Sequence, residues 1–116
     1  MKKLFASALA IALLSTGASY AQNLSIVEQM GWGNGQLTSQ SGKNFSYTGQ
    51  SGIGNESLTG QRGRNQSSTV QSGLGNFSMT DQFGRNNASQ TEQYGVGHWS
   101  ETYQTGAGNV SLTIQD

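Results

Sequence analysis

The sequence predicts an all-β chain: a β-solenoid, or β-helix, of two short strands per rung and about nine strands, following an N-terminal export segment. Three observations predict it. Glutamine recurs at nearly constant steps, a glycine follows each of these glutamines except the last at a distance of two residues, and the residues before each glutamine repeat with period two. Hydrophobic residues make up only 33% of the 116, against about 45–50% in ordinary globular domains, so the chain cannot fill a conventional apolar core. Disordered chains share that deficit but carry high net charge and proline. Here 10% of residues are charged, the formal net charge is +0 and proline is absent.

The first segment, residues 1–21, reads as a signal peptide. Lys2 and Lys3 make a basic start, Leu4 to Leu14 an apolar run too short to span a bilayer, and Ser19-Tyr20-Ala21 a small-x-small cleavage site. The chain from Gln22 onward then carries six acids (Glu28, Glu56, Asp81, Glu92, Glu101, Asp116) against four bases (Lys43, Arg62, Arg64, Arg85). A global basic patch for nucleic acid is absent from that balance. Export without any cysteine means that disulfides do not hold the fold.

Residues 22–116 form one repeat domain of eight to nine half-repeats, each 10 or 11 residues long. Gln29, Gln40, Gln50, Gln61, Gln71, Gln82, Gln93, Gln104 and Gln115 mark the period, and Gly31, Gly42, Gly52, Gly63, Gly73, Gly84, Gly95 and Gly106 mark the turns. Two residues before each Gln stands Thr38, Thr48, Thr59, Thr69, Thr80, Thr91, Thr102 or Thr113, with Val27 in the first unit. Two earlier come Ser25, Gln36, Ser46, Ser57, Ser67, Ser78, Ser89, Ser100 and Ser111, and two earlier again Asn23, Asn34, Asn44, Asn55, Asn65, Asn76, Asn87, His98 and Asn109. Successive side chains of a strand point to opposite faces, so all four repeated residues share one face. A helix would scatter them round its circumference. Regular short strands also suit an up-and-down barrel or a sandwich, but a repeat this strict gives each unit the same neighbours above and below, as in a solenoid.

Two units per rung, with rungs about 4.8 Å apart, give two facing parallel sheets and about four and a half rungs. Like residues then stack. Asn34, Asn44, Asn55, Asn65, Asn76, Asn87 and Asn109, with Gln40, Gln50, Gln61, Gln71, Gln82, Gln93, Gln104 and Gln115, are expected to form amide ladders, and the Ser and Thr hydroxyls to pack as columns that hydrogen-bond in the same manner. The opposite face is irregular, running from Phe45 and Tyr47 through Glu56 and Leu58 to Trp99 and Glu101. Burying an unpaired Glu56 or Glu101 would cost several kcal/mol, which places the repeated polar face inside. Hydrophobicity alone favours the reverse facing, with the aromatics inside.

The turns distinguish two edges. One carries Trp32, Ile53, Leu74 and Val96 between glycines, the other Lys43, Arg64, Arg85 and Ala107, with Asn86 standing where a left-handed backbone is wanted and glycine is missing. The basic column either resists lateral aggregation or binds anionic polymers such as lipopolysaccharide.

These units resemble the curlin repeat of bacterial curli fibres: Gln, Gly two residues on, Asn, a small residue two after the Asn, and Gln again, as in Gln71-Ser72-Gly73-Leu74-Gly75-Asn76-Phe77-Ser78. The resemblance runs from Asn23 to Gln115. It implies a functional amyloid of the biofilm matrix: a self-assembling homopolymer that works beside a curli-type nucleator or major subunit, leaves by an outer-membrane secretion pore via the periplasm, and forms an extracellular fibre with possible polysaccharide or host-surface contacts. The sequence departs from the major subunit in having Ser after Asn where Ala is usual, Asn where Ser is common, and no long Gly-rich leader expected between Gln22 and the first strand.

Neither an enzyme nor a metal or cofactor site is expected. His98 is the only histidine, the acids are scattered, and the abundant Ser and Thr have no His and acid to activate them. The Gly-x-Gly turns recur without following helices, unlike nucleotide-binding loops. Seven Asn-x-Ser sequons fall out of the repeat, and inward asparagines cannot carry glycans. Alternatives from other classes are an ice-binding solenoid, with Ser-x-Thr columns facing outward, and a secreted adhesin using Phe45, Tyr47, Phe77 and Trp99, either acting as a monomer.

Overall fold

Alternation with period two, broken by glycine every ten or eleven residues, produces a chain of strands and corners with no helix among the described residues. The computed structural model describes residues 22–116; the signal peptide expected over residues 1–21 lies outside them. Its strands are β1 (Leu24–Trp32), β2 (Gly35–Gly42), β3 (Phe45–Ile53), β4 (Glu56–Leu74), β5 (Phe77–Val96), β6 (Trp99–Ala107) and β7 (Val110–Gln115). Every pairing is parallel. Like repeat positions meet in register, Gln29 on Gln50, Gln50 on Gln71, Gln71 on Gln93 and Gln93 on Gln115.

The chain winds as a coil of two walls. One wall stacks the strands that begin at Leu24, Phe45, Gln66, Ala88 and Val110. The other stacks those that begin at Gly35, Glu56, Phe77 and Trp99. Five strands face four, so the nine units make four and a half turns. Continuous strands number seven rather than about nine, because β4 and β5 each run unbroken through a corner and serve both walls. The reason is local: at these corners the pairing continues through Gly63↔Gly84 and Arg64↔Arg85 and resumes at Asn65↔Asn87 after a one-residue bulge.

The corners explain the uneven step of the repeat. Gly42-Lys43-Asn44 and Gly63-Arg64-Asn65 turn one residue sooner than the others, which gives the steps of ten. The next corner on that edge gains Asn86, which takes φ +57°, and the register between β4 and β5 shifts there, between Arg64 and Asn65. Asparagine is the residue other than glycine that best tolerates this left-handed region.

Glycine is required at the first corner position for two reasons at once. Gly73 has φ +125°, and a Cβ built on it would be driven into the carbonyl oxygen of Gly95 in the next rung. Gly75, two residues on, also has positive φ (+64°) but faces open space. Gly75→Ala should therefore cost only the left-handed strain, about 1–2 kcal/mol, whereas Gly73→Ala must also force two rungs apart and should cost at least twice as much. Denaturant midpoints of the two variants compare them directly.

Candidate functional site: the stacked amide interior

No hydrophobic side chain is buried among the described residues; the interior consists of Asn, Ser, Thr and Gln. Asn55, Asn76, Thr48, Thr69, Gln82 and Gln93 are all fully enclosed, at 0% exposure. The large apolar residues lie outside, with Trp99 61% and Val110 81% exposed. Glu56 and Glu101 are exposed too, which is where the cost of desolvating an unpaired carboxylate puts them.

Each glutamine column is a continuous chain of amide hydrogen bonds. In the five-strand wall Gln29 Nε2 donates to Gln50 Oε1 at 2.6 Å, and Gln50 to Gln71, Gln71 to Gln93 and Gln93 to Gln115 follow at 2.8 Å each. In the four-strand wall Gln40 donates to Gln61, Gln61 to Gln82 and Gln82 to Gln104, at 2.7, 2.8 and 2.6 Å. The same Nε2 groups reach across to the opposite wall: Gln50 to the Gly35 carbonyl, Gln71 to that of Glu56 and Gln93 to that of Phe77, each at 2.9 Å. Glutamine thus joins rung to rung and wall to wall, and the backbone carbonyl fixes which end of the amide carries nitrogen.

The asparagine columns stand where the chain leaves each corner, and they run the opposite way. Asn44 Nδ2 donates down to Asn23 Oδ1 (3.1 Å), Asn65 to Asn44 (3.3 Å), Asn87 to Asn65 (3.0 Å) and Asn109 to Asn87 (3.1 Å). On the other edge Asn55 donates to Asn34 (3.2 Å) and Asn76 to Asn55 (3.1 Å). The backbone N–H of the upper residue bonds the same Oδ1, as from Asn55 to Asn34 and from Asn76 to Asn55. Each Nδ2 also holds the corner before it, Asn65 on the Arg62 carbonyl and Asn87 on that of Phe83. His98 keeps the backbone half of this pattern, donating its N–H to Asn76 Oδ1 at 3.0 Å, while its ring replaces the carboxamide.

Gln29 and Asn23, which the repeat contains, start two of these ladders. The repeat contained no sign that the glutamine and asparagine ladders would run in opposite senses, because their direction depends on which backbone groups lie beside each amide.

The hydroxyl columns depart from expectation. Ser46, Ser57, Ser67, Ser78 and Ser89, and Thr48, Thr59, Thr69, Thr80 and Thr91, are buried with no hydrogen-bond partner for the side-chain oxygen. Spacing is the reason. An amide carries its donor and acceptor roughly 2.2 Å apart, from bonds of about 1.2 and 1.3 Å, so it bridges most of a repeat near 4.8 Å. A hydroxyl presents one oxygen, and stacked oxygens about 4.8 Å apart are well beyond the 2.5–3.0 Å of an O–H···O bond. Amides ladder; hydroxyls only pack.

Outside, Phe77 and Trp99 stack at 4.2 Å between centroids with a 26° interplanar angle, and Trp99 Nε1 donates to Glu101 at 3.0 Å. Arg62 lies over the Phe83 ring at 5.8 Å. Tyr47 donates its hydroxyl to Glu28 at 3.1 Å, and partial burial, then that bond and the carboxylate charge, raise the phenol above its ordinary pKa of 10.0. A groove along the basic edge is lined by Lys43, Phe45, Arg64, Gln66, Asn86 and Ala88. Among the described residues no three His, Cys, Asp or Glu gather as a metal site.

The two kinds of interior residue should respond to substitution with opposite signs. Ser67→Ala and Thr69→Val remove a buried hydroxyl that has no partner at almost constant shape, and each should raise stability by about 1 kcal/mol. Gln71→Ala breaks a ladder and leaves partners unpaired in three directions, and should lower it by about 2 kcal/mol or more. Denaturant unfolding of the three variants beside the parent chain gives both signs. In sequence comparison, no family model matches the chain and no curated protein matches it.

Proposed function

We propose that this chain is the structural subunit of a secreted, curli-like amyloid fibre, assembling end to end as a homopolymer in the extracellular matrix and at surfaces. The observation that carries the reading is the interior itself. A coil held by amide and backbone ladders leaves those ladders open on its outermost strands, which among the described residues are β1 and β2 below and β6 and β7 above. Sheet edges of this kind template further strands unless covered, and stacking like side chains on like is the basis of cross-β persistence. A second copy supplies the same Asn, Ser, Thr and Gln columns.

Export rests on the basic, apolar and small-residue order of residues 1–21. Partners of this reading are the chain itself, a curli-type nucleating or major subunit and an outer-membrane pore. Catalysis has no part in it. The ice-binding alternative needs the Ser and Thr columns on an outward face, and these columns point inward. Surface adhesion is compatible with fibre formation and is favoured by the exposed Trp99, which stacks on the half-buried Phe77.

Micromolar protein should form fibres after a lag that preformed seeds abolish, with a meridional reflection near 4.8 Å. A product that remains monodisperse through such seeding would overturn the reading. Substituting Phe45, Tyr47, Phe77 and Trp99 together by Ser should abolish adhesion to a polysaccharide-coated or host-cell surface while leaving the seeded growth rate within about twofold, because these side chains lie outside every ladder.

A further inference from the structure

We infer that successive copies in the fibre are related by a half turn about its axis, so that β1 of one copy lies on β6 of the copy below and β2 lies on β7. This deepens the self-assembly reading above and rests on it. The interaction surface is the pair of open ends of the described coil, and the partner is a second copy of this chain.

Step height is the first argument. The wall with five strands ends at β7 and the wall with four ends at β6, so the upper end is a step of half a strand spacing, with β7 on its raised side. The lower end has the matching step, since β1 precedes β2 along the climb of the coil. Placing β1 over β7 by simple translation leaves β2 two strand spacings above β6, about 10 Å away, with both facing edges unpaired. A half turn seats β1 on the low side and β2 on the high side. Both edges then pair.

The corners give a second, independent argument. A half turn sets the Gly31-Trp32-Gly33-Asn34 corner of the upper copy on Gly106-Ala107-Gly108-Asn109 of the lower one. These two have the same length and form, and their backbones agree: φ is +112° and +66° at Gly31 and Gly33, and +106° and +73° at Gly106 and Gly108. The first corners on that edge, Gly42-Lys43-Asn44 and Gly63-Arg64-Asn65, are one residue shorter and charged. Moving up the edge, the corner first lengthens by Asn86 and then exchanges Arg85 for Ala107 and the left-handed Asn86 for Gly108. The basic edge has thus taken the geometry of the apolar edge by the rung that receives it.

The amides continue like on like in that seat and not in the reversed one. At the upper end Gln104 and Gln115 each keep one N–H beyond those given to the Ala88 and Trp99 carbonyls, and Asn109 Oδ1 accepts nothing. At the lower end Gln29 and Gln40 have Oε1 acceptors open among the described residues, and Asn34 Nδ2 holds Met30 and Gly52 carbonyls in the pose of an upper ladder member. The half turn brings Gln104 to Gln29, Gln115 to Gln40 and Asn34 to Asn109. Two like ends could meet only with their strands antiparallel, which sets Gln104 against Asn109 in place of like on like, so growth that continues the ladders is head to tail, an open heterologous contact. One copy adds about 22 Å, and the fibre repeats every two copies, about 43 Å, with apolar and basic corners changing sides at each junction.

Introduced cysteines test this, since the chain has none of its own. The half turn puts Leu37 directly over Leu112, at a Cα spacing near 4.8 Å that a disulfide accepts; translation puts Ile26 over Leu112. Within one copy neither pair can meet, because Leu37 and Leu112 belong to different walls and Ile26 is four strands below Leu112. Fibres of a chain carrying Leu37→Cys with Leu112→Cys should give, on oxidation, a ladder of covalent multimers on denaturing gels, and those of Ile26→Cys with Leu112→Cys should stay monomeric. Fibres in which only the Ile26 pair links, or in which neither links, overturn the half turn while leaving self-assembly standing. Failure of the parent chain to form fibres overturns the self-assembly reading and this inference with it.

Discussion

Everything in this coil depends on the fit between the spacing of adjacent strands and the span of a carboxamide. Parallel strands stand about 4.8 Å apart, and an amide whose nitrogen and oxygen are separated by roughly half that distance closes the remainder with one ordinary hydrogen bond. The distances of 2.6–2.8 Å along the glutamine columns are that fit. Glutamine and asparagine are otherwise poor interior residues, because an amide buried without partners is costly. Repetition removes the cost: every amide meets another in the same pose, and the walls carry no apolar core at all.

That dependence sorts the chain into positions that tolerate change and positions that do not. Outward residues vary from Gly49 to Tyr47 and from Glu56 to Trp99, because each touches solvent and a few outward neighbours but no ladder. Inward positions admit few departures, and those sit near the ends of the described stack: Val27 in the first strand, Gln36, which donates to Thr38, low in the other wall, and His98 high on the opposite edge from Asn109. The first glycine of a corner is fixed by the rung above it, since the space a Cβ needs at Gly52 is taken by the Gly73 carbonyl. The constraint is therefore transmitted along the stack rather than through a centre.

Much of this architecture was legible from residues alone. The period of two placed Asn65, Ser67, Thr69 and Gln71 on one face, the step of ten or eleven placed the corners, and the carboxylates of Glu56 and Glu101 indicated which face was outside. Two things were not legible. The hydroxyls of Ser67 and Thr69 looked equivalent to the amides because both donate and accept, and only the distance between rungs separates a side chain with two polar atoms from one with a single oxygen. The merging of units into β4 and β5 depends on whether Arg64 and Arg85 stay paired through a corner, which is a matter of backbone path and not of residue type. The direction of each ladder was hidden for a like reason, since Gln71 takes its orientation from the Glu56 carbonyl across the coil and Asn65 from the Arg62 carbonyl beside it.

Those opposed directions have an electrostatic consequence. A row of amides pointing one way accumulates a dipole with length, as a helix does from peptide units of about 3.5 D each. In this coil the seven glutamine links direct their N–H bonds toward the last rung. The six asparagine links direct theirs toward the first. The two sets nearly cancel, so a longer stack would build up little field from its side chains, and neither terminus would grow more strongly charged in effect with added copies. A filament made this way has no electrostatic reason to stop at any particular length.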